Sequence, residues 1–108
     1  MKNDWTPGPW AAHLNAPLAA IPGHIIKTED DPNTPVALVW EGGGSHGKPT
    51  QIANAHLISA APDLYEALKE FLDVWESGDA NDNSKRAGAR RGKMLDASRA
   101  AIAKAEGK

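Results

Sequence analysis

Apolar residues recur through the second half of the chain with helical spacing. From Leu57 they fall at Leu57, Ala61, Leu64, Leu68, Phe71 and Trp75, in steps of 4, 3, 4, 3 and 4. That rhythm predicts one buried helical stripe, widened by Ile58 and Leu72. Pro62 interrupts it, and a proline's missing N–H is harmless only in a first helical turn. Asp63 follows it and suits a helix N-terminus, while Ser59 stands three residues before it. The pattern predicts a short helix over about 52–60, a break, and a longer helix over 62–76. A second face, made by Met94, Leu95, Ser98, Ala101, Ile102 and Ala105, predicts a last helix over 93–106. Most of that face is small, so a neighbouring helix can approach closely.

The stretch from Met1 to Asn54 lacks this rhythm and is rich in proline and glycine. Three short runs look extended: "WAAHL" from Trp10, "HIIKTE" from His24 and "VALVWE" from Val36. Turn signals separate them, "NAPLAAIPG" with Pro17, Pro22 and Gly23, then "DDPNTP" with Pro32 and Pro35. Prolines so near strand ends suit an antiparallel meander with exposed edges. Strands this short need something to pack against. The expected fold class is therefore α+β, a short N-terminal antiparallel β-meander packed on a C-terminal α-helical hairpin. The expected division is one domain, 1–108, with a β-rich part over 1–51, a kinked helix over 52–77, a polar and basic loop over 78–92, and a C-terminal helix over 93–107.

Composition narrows the function classes. A chain of 108 residues makes one ordinary domain. Its formal net charge of −2 argues against a general binder of nucleic acid or membrane surface, which would be strongly basic. The absence of cysteine excludes a disulfide framework, a thiol nucleophile and a thiolate metal site. No apolar run reaches the roughly 18 residues of a membrane span, and "MKNDWTPGPW" lacks the apolar stretch of a secretory signal. A cytosolic, soluble protein without membrane contact is expected. Much of the apolar fraction is alanine, so the four tryptophans carry unusual weight. A core this small invites completion by a second subunit, which makes a homo-oligomer an expectation to test.

The candidate chemistry is mostly negative. "GGGSHGKP" fits G-x-x-x-x-G-K-[ST] except at its last place, where Pro49 replaces the hydroxyl that would hold Mg²⁺ and removes an N–H donor. A nucleotide-hydrolysing P-loop does not fit, although a glycine loop before a helix can bind an anion, with Lys48 as its cation. "DANDNSKRAGAR" starts like a calcium loop, yet Arg90 stands where the bidentate glutamate belongs. The histidines at 13, 24, 46 and 56 show no metal-ligand spacing, and a lone histidine is usually on the surface or at a cap. No nucleophile elbow is present. Asp63 and Glu66 read as decoration of a helix start. "KRAGARRGK", with glycines at 88 and 92, reads as frayed helix or a mobile basic strap; it carries Lys85, Arg86, Arg90, Arg91 and Lys93, either contacting phosphate or as a solvated segment balancing the acidic loop before it. Trp5 and Trp10 bracket "TPGP", either as an exposed aromatic anchor for a partner or as a pair closing the core. No catalytic, cofactor-binding or metal-binding residue is expected.

Three stretches together, "TPGPW", "ANAHLISAAPDLYEALKEFL" and "SRAAIAKAEGK", carry a resemblance. The chain resembles a widespread group of small, mostly uncharacterised phage and prophage proteins that share these segments with variable filler between. The resemblance implies an accessory protein acting in the cytoplasm of an infected bacterium, and brings no catalytic residues with it. Physically the motif reads as structural, with Asn54 as a cap for the first helix and Ala60 and Ala61 allowing close packing at the Pro62 break. The leading expectation is a non-enzymatic phage accessory protein that binds a host protein, one form of which is a counter-defence inhibitor. The alternative is an oligomeric nucleotide- or nucleic-acid-binding module, with Lys48, Arg90 and Arg91 on phosphate.

Overall fold

The computed structural model describes residues 4–16, 21–31, 33–40 and 48–108, Lys48 by its backbone. Three strands come first: β1 Trp10–His13, β2 Gly23–Thr28 and β3 Pro35–Trp40. Three helices follow: α1 Lys48–Ser59, α2 Ala61–Glu76 and α3 Lys85–Ala105. The strands form an antiparallel meander in the order β1-β2-β3. Trp10 lies opposite Thr28 and Gly23 opposite Trp40, with a register shift between Ile26 and Lys27. The α+β class and the meander are as the sequence predicts. The turn residues Pro17 and Pro32, His46 and the glycine loop over 41–47 lie outside the described residues.

Among the described residues the main cover of the sheet is not the α2–α3 hairpin. The sheet packs on α1, which touches all three strands and also α3. Ile26, Val39 and Ala55 form the buried centre, with Trp10, Ala12, Val36 and Ala37 against it. Ala55 on α1 is fully buried, and its small side chain brings the helix close to β2. The hairpin of α2 and α3 has a separate seam made by Ala67, Val74, Ala87, Met94 and Ala101, all buried. Two small cores in a row give an elongated molecule of 55 × 28 × 19 Å. Its radius of gyration is 17.0 Å, where about 13 Å is usual for a compact domain this long.

The predicted core stripe is corrected most. Leu68 and Trp75 are 60% and 63% exposed, and Leu57, Phe71 and Leu72 are exposed as well. The seam of α2 runs instead through Ala67 and Val74, next to the larger apolar residues. The small residues win because the facing helix α3 presents alanines, and only short side chains let two helices come that close. Likewise Met94 and Ala101 are buried on α3, while Leu95 and Ile102 face outward.

Helix boundaries shift too. The first helix begins at Lys48 rather than at 52, so Asn54 is an exposed mid-helix residue and not a cap. The break falls at Ala60, and Pro62 sits in the first turn of α2, as the sequence predicts. The last helix begins at Lys85 rather than 93, and the basic segment taken for a loop over 78–92 is its first two turns. Ser84 causes this by capping the helix, its Oγ accepting the Ala87 N–H at 3.2 Å.

Candidate functional site

The segment from Trp5 to Trp10 folds back on itself. The Trp10 indole Nε1–H donates to the Thr6 carbonyl at 3.1 Å, and the Gly8–Pro9 peptide is cis. The turn presses against the start of α2. A methyl group at Gly8 would lie 2.4 Å from Pro62 Cβ, closer than carbon atoms approach, so only glycine fits there. Pro62 itself is buried. Trp5 then reaches over Tyr65, one turn into α2, with ring centroids 5.0 Å apart and planes at 82°. That edge-to-face arrangement is the favoured geometry for two aromatic rings.

The result is an open cleft of about 410 Å³ lined by Trp5, Pro7, Gly8, Pro9, Pro62, Asp63, Tyr65 and Glu66. Trp5 is 47% exposed. The walls are aromatic rings and prolines, and two carboxylates stand on the rim. Asp63 is held by the Lys104 ammonium at 2.6 Å, which also lies 3.9 Å from Glu29. The C-terminal end of α3 is thereby tied to the start of α2. Gly107, at φ 78°, closes that end against the His56 ring, where a Cβ would lie 2.8 Å from Cδ2. The three segments that carried the family resemblance meet around the α1–α2 break.

The two tryptophans that bracket "TPGP" do not form a pair closing the core. Trp10 is half-buried against the sheet core, and Trp5 is the exposed aromatic at the cleft. Tyr65 was missed in the sequence. Periodicity gave no signal for it: Tyr65 falls one heptad after Ile58 and one before Leu72, inside the widened stripe, so its spacing does not set it apart from core residues.

The basic residues lie on α3, far from the cleft along the hairpin. Arg86 is exposed. Arg90 donates to Glu70 at 3.2 Å and to Asp79 at 2.7 Å, and to Ser77 Oγ at 3.2 Å. Arg91 donates to the carbonyls of Asp79 and Asp82. Both guanidiniums thus fasten the loop over 77–84 onto the helix. The hydrogen bond from Arg90 holds the buried Asp79 carboxyl below the usual carboxylate range, against the opposing effect of burial, and holds the guanidinium pKa above its ordinary value. First and twelfth positions of the calcium-like stretch are therefore paired with each other. Lys48 lies at the start of α1, and its side chain is outside the described residues. Among the described residues no group of three histidine or acidic side chains could hold a metal ion. His24 departs from the surface role expected of it. It is fully buried on β2, and its Nδ1 accepts the Asn15 amide at 2.8 Å.

Fold and cleft together define a small α+β protein in which a proline-rich turn is clasped onto a helical hairpin. The chain belongs to the family described as Salmonella phage P22 protein Y8K6, whose match runs over residues 1–108. It is a phage accessory protein, as its three motif segments implied. No curated protein and no solved structure matches it. Among the described residues no helix is long and apolar enough to cross a membrane.

Proposed function

We propose that this protein is non-enzymatic, acts in the cytoplasm of the infected host, and binds a host protein through the Trp5–Tyr65 cleft. The observation that supports this reading is the rigid edge-to-face aromatic pair standing exposed beside the Asp63 and Glu66 carboxylates. Exposed aromatics on a fixed frame lose little conformational entropy on binding and are the usual anchors of protein interfaces. Aromatic faces with carboxylates on the rim suit a lysine or arginine side chain from an extended segment, held by cation–π attraction and charge. Inhibition of a host defence component is one form of this reading, and it requires the captured protein to belong to such a system. The nucleotide or nucleic-acid reading has no comparable support among the described residues, since the guanidiniums of Arg90 and Arg91 already serve the loop beside them.

The test starts from a host protein captured on the untagged chain after nuclease treatment and then purified. Calorimetry should show Trp5→Ala weakening the complex at least tenfold, in line with loss of a buried aromatic anchor. Trp40→Ala, at an exposed tryptophan on the end of β3, should leave it unchanged. Equal affinity for wild type and Trp5→Ala would remove the cleft from the reading, and capture that disappears with nuclease would replace it with nucleic-acid binding.

A further inference from the structure

A heptad register runs through both helices of the hairpin. With Leu64 and Phe71 at position a, α2 carries Ala67 and Val74 at d, and Leu68 and Trp75 at e. With Ala87, Met94 and Ala101 at d, α3 carries Arg91 and Ser98 at a, and Leu95 and Ile102 at e. An a, d and e face is what a helix presents to the core of a four-helix bundle. Here the d residues alone are buried inside the chain. The a and e residues line two adjoining hollows on one side of the hairpin, one between Phe71, Trp75, Arg91 and Leu95 and one between Leu64, Leu68, Ser98 and Ile102. The opposite groove is different in kind: it is lined by Asp63, Glu66, Glu70 and Lys104 with small alanines.

We propose that the apolar side of the α2–α3 hairpin is covered by the same side of a second copy of this chain, the two hairpins forming a four-helix bundle. Three observations favour a second copy over an unrelated partner. The period of the open face matches the period of the seam already formed, so another hairpin with the same register continues the knobs-into-holes packing. Large residues at a and e of α2 wall hollows whose lining also includes the buried Ala67, Val74 and Met94, so each copy offers both the projections and the recesses that a two-fold contact needs. The area also suffices: exposed Leu68, Phe71, Trp75, Leu95 and Ile102 leave on the order of 600 Å² of side-chain surface, against about 800 Å² per partner in a standard interface with its polar rim. An apolar patch of this size stands at the upper end of what a monomer leaves open, about 300–600 Å². The inference does not rest on the cleft, which shares no lining residue with these hollows.

The test uses the whole chain. Sedimentation across a hundredfold concentration range should give twice the 11.5 kDa chain mass at the upper end. Phe71→Lys should return the chain to monomer with its helical circular dichroism retained, because position 71 is already exposed within one chain. The absence of cysteine gives a second readout that needs no disruption. A thiol placed by Ile102→Cys should react at least tenfold more slowly with a maleimide at high than at low protein concentration. A thiol at Ala100→Cys, on the polar groove, should react equally fast at both. A monomer mass at every concentration, a dimer indifferent to Phe71→Lys, or equal reactivity at both thiols would overturn the proposal. A chain that is monomeric alone but loses a host protein with Phe71→Lys would also overturn it, in favour of that protein as the occupant.

Discussion

Replacing one hydrogen of Gly8 by a methyl group sets the new carbon 2.4 Å from Pro62 Cβ, and neither a proline ring nor a helix start can yield by the ångström required. Gly8→Ala should therefore lower stability by about 1–3 kcal/mol, the range for overpacking a tight contact. Urea unfolding would measure it, and a loss below a few tenths would show that the turn moves freely. Asp79 gives the pH dependence. Its folded carboxyl titrates below the unfolded value, near 3.8, mainly because Arg90 donates to it. Such a group adds stability that is present above the unfolded pKa and is lost as pH falls through the folded one. As pH falls below the unfolded value near 3.8, urea midpoints should drop more steeply for wild type than for Asp79→Asn. Parallel curves would detach the Arg90 contact from folding.

The helices show how far periodicity reaches. The rhythm from Leu57 to Trp75 placed α2 and its Pro62 start, because proline and spacing are local facts. It did not show which side of the helix is covered, since that depends on α3, whose alanines select Ala67 and Val74 as their neighbours. The start of α3 was hidden for a different reason. Gly88 and Gly92 weaken a helix, and the compensating cap at Ser84 and the tethers from Arg90 and Arg91 appear only once the chain is folded. A Cβ at Gly92 meets nothing within 4 Å. Gly92→Ala should thus stabilise the protein by about 0.5–1 kcal/mol. A decrease in the urea midpoint would mean that the helical conformation there is not the stable one.

For the molecule as a whole, the meander and the α+β class were readable from turn residues and alternating runs, but the partner of the sheet was not. The hairpin looked like the natural cover, and α1 takes that place because Ala55 lets it lie close on Ile26 and Val39. The cleft was half visible: Trp5 was singled out, while Tyr65 and the contact between Gly8 and Pro62 join residues more than fifty positions apart. That contact also orders the routes open to mutation. While Pro62 stays, any side chain at position 8 lowers stability. Only once glycine, which lacks that Cβ, stands at 62 does a change at 8 become tolerable. The effect of either substitution thus depends on the other, and a lineage that varies both has to pass through position 62 first.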